Sequence, residues 1–230
     1  MAELPRGAPT TPRPRTGTTA HGDQGLRVYT LGGFRIERGD ELIPADQWSR
    51  RSALRLLKCL LSRRTRRMPR DEAYELFWPD SAPEAAANNL RGTLFVIRRV
   101  LEPGVDARDS IVFSDHDTIG IRADADVWVD ADAFELLLSE AKRSEAPAEL
   151  LEAADRLYTG DYLPDDLYDD WTTQRREPLR NLWTELQFDL SRAREQHGDA
   201  SGAIRALQRL LESDRCNERA ARERASGRRS

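Results

Sequence analysis

The chain has 230 residues, a mass of 26.2 kDa and a net charge of −4, which is room for one large or two small domains. No run of about 18 apolar residues occurs, which excludes a membrane-spanning helix. The opening "MAELPRGAPTTPRPRTGTTAHGDQG" lacks the apolar stretch of a secretory signal, so a cytoplasmic protein is expected. Cys59 and Cys216 stand far apart in no metal or redox spacing. With no Walker A lysine motif, no HExxH and no Cys/His cluster, neither an enzyme nor a bound metal or cofactor is expected. His21, His116 and His197 fall in a tail and two turns.

Charge is unevenly spread. Trp48 to Leu101 holds twelve basic and five acidic residues, net +7; Glu102 to Leu190 holds eight and twenty-three, net −15. Such asymmetry suggests two units with different partners, the basic one suited to nucleic acid.

Residues 1–25 are rich in Pro, Gly and Thr and read as a disordered tail. Leu26 to Ile43 carries β-branched and aromatic residues broken by Gly32-Gly33 and Gly39-Asp40, the pattern of two or three short antiparallel strands. In "SRRSALRLLKCLLSRR", Leu54, Leu57 and Leu61 line one helical face and Leu56 and Leu60 widen it. Ser49 or Ser52 is the candidate cap of that helix, and Cys59 is expected in its buried side. Pro69 to Pro79 reads as a short second helix. Ser81 and Glu84 have capping-box spacing at the start of a third, which Pro103-Gly104 ends. Ile111–Phe113 and Thr118–Ile121 then flank Ser114-Asp115-His116-Asp117 as a hairpin.

From Asp130 onward the pattern is helical. "DADAFELLLSEAKR" and "PAELLEAADRLY" suggest an antiparallel pair, and "TGDYLPDDLYDDW" a solvated connector. The segment from Glu177 to Asp214 suggests two helices hinged at His197-Gly198-Asp199. A helix–turn–helix of about 34 residues is the unit of solenoid repeats. After Cys216 no apolar residue larger than alanine occurs, so 217–230 reads as a second disordered tail and the helical array as incomplete.

The third helix carries the chemistry. At about 100° per residue, Leu90, Leu94, Ile97 and Leu101 point one way with Ala87 alongside. Asn88, Arg91, Gly92, Phe95 and Arg99 gather on the opposite side. Asparagine can pair with adenine, arginine can fork onto guanine, and an apolar ring can touch a thymine methyl. Gly92 costs about 1 kcal/mol relative to alanine inside a helix, which makes sense where something must come close. Three helices followed by a hairpin is the order of a winged helix. Arg63, Arg64, Arg66 and Arg67, between the first two helices, are either phosphate contacts or a solvated turn. The acidic hairpin tip either turns away from a duplex or touches it through Ser114, His116 and Thr118.

"NLRGTLFVIRRVLEP" resembles the recognition-helix signature of the OmpR-type winged helix in SARP-type activators. "TIGIRADADVWVDADAFELLL" resembles the junction in those proteins between winged helix and bacterial transcriptional activator domain, and "YTGDYLPDDLYDDW" the interior of that second domain. The resemblance covers about Leu26 to Asn217. It implies an α+β winged helix-turn-helix (26–122) followed by an all-α, TPR-like activator domain (123–216). The implied function is transcriptional regulation, most simply activation. The implied partners are double-stranded promoter DNA, RNA polymerase and, through the helical domain, a second copy. By position it implies base contacts from Asn89, Arg91, Thr93 and Phe95 and places Arg98 and Arg99 on the family's paired arginines, the candidates for phosphate. The helical wheel instead favours Asn88 over Asn89 and Thr93. The alternative function is a protein-interaction module, with the winged helix as scaffold and the helical half holding a partner.

Overall fold

The computed structural model describes residues 25–213, 218–219 and 221–222. The first tail, apart from Gly25, lies outside these residues, as do His21 and Cys216; of the second tail, 218–219 and 221–222 are described and are helical. The chain opens with three short strands, β1 (Leu26–Tyr29), β2 (Arg35–Arg38) and β3 (Glu41–Ile43), paired antiparallel in sequence order. Val28 faces Ile36 and Ile36 faces Ile43, so alternate apolar residues share the buried side of the pleat.

Three helices follow: α1 (Arg51–Ser62), α2 (Arg70–Phe77) and α3 (Pro83–Leu101). Leu56, Leu57, Cys59, Leu60 and Leu61 of α1 are buried, while Leu54 is only half-buried. Burial pushes the Cys59 thiol up, so little thiolate forms at neutral pH. Cys59 should therefore resist alkylation in the native protein and label only on unfolding; peptide mass mapping after iodoacetamide checks this.

Neither expected cap forms. Arg50 occupies the N-cap of α1 without a side-chain bond, and Ser52 lies inside the helix, hydrogen-bonded to Thr93 at 3.2 Å. At α3 the cap is Ala82, also without a side-chain bond, because the helix starts on Pro83 at its first position, where a missing N–H costs nothing.

Between α1 and α2 lies a strand that periodicity does not reveal, β4 (Arg67–Pro69). It pairs antiparallel with β6 (Thr118–Ile121), which pairs with β5 (Val112–Ser114), giving a three-stranded wing in the order β4-β6-β5. Pro69 is tolerated because β4 is an edge strand. The three helices and the wing make a winged helix.

The helical half is tied into this unit by backbone. Strand β7 (Val127–Val129) pairs parallel with β1, completing the first sheet as β3-β2-β1-β7, and runs directly into α4 (Asp130–Ala141). Asp130 is 2% exposed; its carboxylate accepts from Thr30 N and Leu31 N at 2.8 and 2.9 Å and from the Thr30 hydroxyl at 2.6 Å. Antiparallel helices α4 and α5 (Ala148–Leu157) and then α6 (Asp170–Gln196) and α7 (Ala200–Ser213) follow. Gly32, at φ +78°, meets the turn after α5: a Cβ there would stand 2.5 Å from the Thr159 hydroxyl. A side chain at this position would push the two halves apart.

Helix α6 begins two turns before the expected start and runs through Pro178. Its extra turns dock on α1, which accounts for a helix that propensity would have broken. The connector before it is not simply solvated: Lys58 Nζ lies 2.6 Å from Asp166, and Arg55 pairs with Asp169. Further on, Tyr158 stacks on Trp183 at 5.2 Å, and one apolar core runs from the first sheet to α7.

Candidate nucleic-acid interface

Helix α3 divides cleanly. Leu90, Leu94, Ile97 and Leu101 are at most 2% exposed, as the spacing requires, and Ala86, Thr93, Val96 and Val100 widen the buried arc. The opposite stripe is open: Asn88, Arg91 and Arg99 are exposed and Phe95 is 62% exposed. A phenylalanine so bare on a 19-residue helix gives up burial that would favour it by roughly 1.5–3 kcal/mol. Arg91 Nη2 donates to Asn88 Oδ1 at 2.7 Å one turn back, so the two polar heads are held side by side.

The conflict over which asparagine faces outward resolves toward the wheel: Asn88 is exposed and Asn89 half-buried. Thr93 is fully buried and hydrogen-bonded to Ser52, so it is removed from the outward set. A position 140° round the wheel from Asn88 packs against α1 whatever motif it belongs to.

The arginines also divide. Arg99 is exposed, whereas Arg98 donates to the Val112 carbonyl at 2.9 Å and holds the wing against α3; burial pushes its guanidinium pKa down. Arg63 pairs with Glu72, Arg64 with Glu135 at 2.9 Å, and Arg66 with Asp132. Arg66 is turned inward by a left-handed backbone, φ +57°. Arg67 alone of these four is without a carboxylate among the described residues and lies over Phe113. Much of the basic charge near α1 therefore meets the acidic half of the same chain, and the remainder lies elsewhere. The segment totals do not reveal that division.

At the wing tip Asp115 accepts from the Asp117 and Thr118 amides at 3.0 and 2.7 Å, so its carboxylate closes the turn. Arg70 donates to the Asp115 carbonyl at 3.0 Å and approaches Ser114 at 3.4 Å. His116 is almost wholly exposed, while Ser114 and Thr118 are half-buried.

Sequence reasoning missed Arg50. Its guanidinium, carried from the start of α1, lies on α3 at Gly92, where a Cβ would stand 2.6 Å from Nη1. The glycine signalled a close approach, but nothing local named a partner 42 residues away. Among the described residues no group of three or more His, Cys, Asp or Glu is placed to hold a metal ion, and no described helix is long and apolar enough to cross a membrane.

The comparisons with known proteins agree with this architecture. Residues 129–228 match the bacterial transcriptional activator domain. Among solved structures, Mycobacterium tuberculosis EmbR, in complex with a low-affinity phosphopeptide, superposes with a TM-score of 0.72 at 17% identity. The superposition covers 89% of this chain and 54% of that one, so the chain spans about half of EmbR's length. No curated protein sequence matches it. The chain thus joins a winged helix, through β7, to a bacterial transcriptional activator domain. The match to that domain begins at the end of β7 and extends past α7.

Proposed function

We propose that this cytoplasmic regulator binds promoter DNA sequence-specifically, lays α3 in the major groove, activates transcription and catalyses nothing. The supporting observation is the open stripe of Asn88, Arg91, Phe95 and Arg99, left clear by a helical half that docks on α1 instead. Arg91, with Asn88 beside it, suits a purine edge; Phe95 suits a thymine methyl; Arg99, Arg67 and His116 suit phosphates. In this reading residues 26–122 bind the duplex. The chain from residue 123 onward serves self-association or contact with RNA polymerase.

Selection of bound sequences from random DNA with the purified protein tests this. Arg91→Ala should lose discrimination at one or two base pairs, worth about 1–3 kcal/mol, with the fold unchanged. An Arg91→Ala protein that selects the same site with the same affinity contradicts the assignment.

One observation favours a second reading, a protein-interaction module. Leu167 and Tyr168, on the connector before α6, are 58% and 100% exposed among carboxylates. DNA affinity that stays negligible at low salt, alongside a protein partner lost on Tyr168→Ala, would favour it.

A further inference from the structure

We propose that Arg50, the N-cap of α1 and not part of the reading helix, is part of the duplex-facing surface and grips a DNA phosphate. The proposal rests on the DNA-binding reading above. Its observations are the bare backbone of Gly92 and the placement of the Arg50 guanidinium on it. The position a Cβ would take at Gly92 is 2.6 Å from Arg50 Nη1, 3.1 Å from Cζ and 3.3 Å from Nη2, so the guanidinium occupies the space a side chain at 92 would fill. Gly92 sits on the edge of the Asn88–Phe95–Arg99 stripe, and Arg50 therefore extends that stripe sideways by one cation.

Arg50 is exposed, and among the described residues no carboxylate pairs with it. This sets it apart from the cations that hold the helical half: Arg55 and Lys58 in α1, and Arg64 and Arg66 after it. A glycine inside a helix is costly. Here it lets a guanidinium rest at the level of the helix backbone while Asn88, Arg91 and Phe95 project beyond it. A group held at that lower level, on the helix flank, meets the strand bordering the groove and not the base edges. Its planar donors suit two phosphate oxygens. Arg50 is thus a positioning contact, setting how deep and at what angle α3 enters.

The test is fluorescence anisotropy on the selected site across a salt series, with wild type, Arg50→Ala, Arg50→Lys, Gly92→Ala and Arg91→Ala. Arg50→Ala should lower the slope of log affinity against log salt by about 0.9, weaken all sequences alike and leave the selected consensus intact. Arg50→Lys should restore the slope. Gly92→Ala, which keeps every charge but displaces the guanidinium, should weaken binding with the slope reduced. Melting temperatures of the Arg50 variants should match wild type, because the side chain makes no bond to the described residues.

Unchanged affinity and slope in Arg50→Ala, with discrimination lost in Arg91→Ala, overturns the role of Arg50 and leaves the DNA reading standing. A change of base preference in Arg50→Ala overturns the phosphate assignment. Absence of specific binding by wild type overturns both readings.

Discussion

Asp130→Ala lowers the unfolding free energy by about 3–5 kcal/mol. The carboxylate is 2% exposed and accepts from the amides of Thr30, Leu31 and Ala131 and from the Thr30 hydroxyl. Burial pushes its pKa up and these donors pull it back, burial being the larger influence. Alanine leaves three polar groups of Thr30 and Leu31 enclosed without an acceptor, each costing about 1–3 kcal/mol. For a chain of this size a loss of 1 kcal/mol moves the melting temperature by about 2–4 °C, so a fall on the order of 10 °C is expected in a thermal scan. Asp130→Asn keeps the shape but turns an NH2 toward the donors, and should lose a substantial part of the same stability. A melting temperature within about 2 °C of wild type for Asp130→Ala would mean that β1 and α4 are not joined here.

That junction marks the limit of what local pattern reveals. The helices of the winged helix and the wing hairpin have regular apolar spacing, and a spacing is a short-range property. The open stripe of α3 was legible for the same reason: Leu90, Leu94 and Ile97 fix one side, and geometry assigns Asn88, Phe95 and Arg99 to the other. What was not legible depends on partners distant in sequence. Strand β7 joins the first sheet by pairing with β1 some hundred residues earlier, and three residues of β-former carry no such address. Strand β4 exists because β6 accepts it across the wing. Pro178 looks like a helix start until the turns before it dock on α1. Arg63, Arg64 and Arg66 look like phosphate contacts until the carboxylates of Glu72, Glu135 and Asp132 arrive beside them. Charge, unlike apolar spacing, does not say whether its complement is another molecule or another part of the chain.

Asp132→Ala tests that last point directly and should cost about 2–3 kcal/mol. Its carboxylate pairs with both Arg66 and Arg175, and Arg175 also donates to the Leu61 carbonyl at 2.9 Å. Breaking a buried pair by removing one partner costs about 3–5 kcal/mol, because a desolvated charge is left behind. Asp132 itself is 46% exposed and Arg175 keeps Glu135 at 3.4 Å, so solvent and the second carboxylate absorb part of that cost. Arg66 and Arg175 then repel each other across the vacated position. In a double-mutant cycle with Arg175→Met, the two losses should be markedly less than additive, by about 1 kcal/mol or more, because the second change removes the charge that the first strands. Additive losses would show that Asp132 and Arg175 act independently. Because this cluster lies at the α1–α4–α6 junction and not on the stripe of Asn88, Arg91 and Phe95, the folded Asp132→Ala protein, measured well below its melting temperature, should keep wild-type DNA affinity. A stability loss without an affinity loss separates the cations that hold the molecule together from those left to meet a duplex.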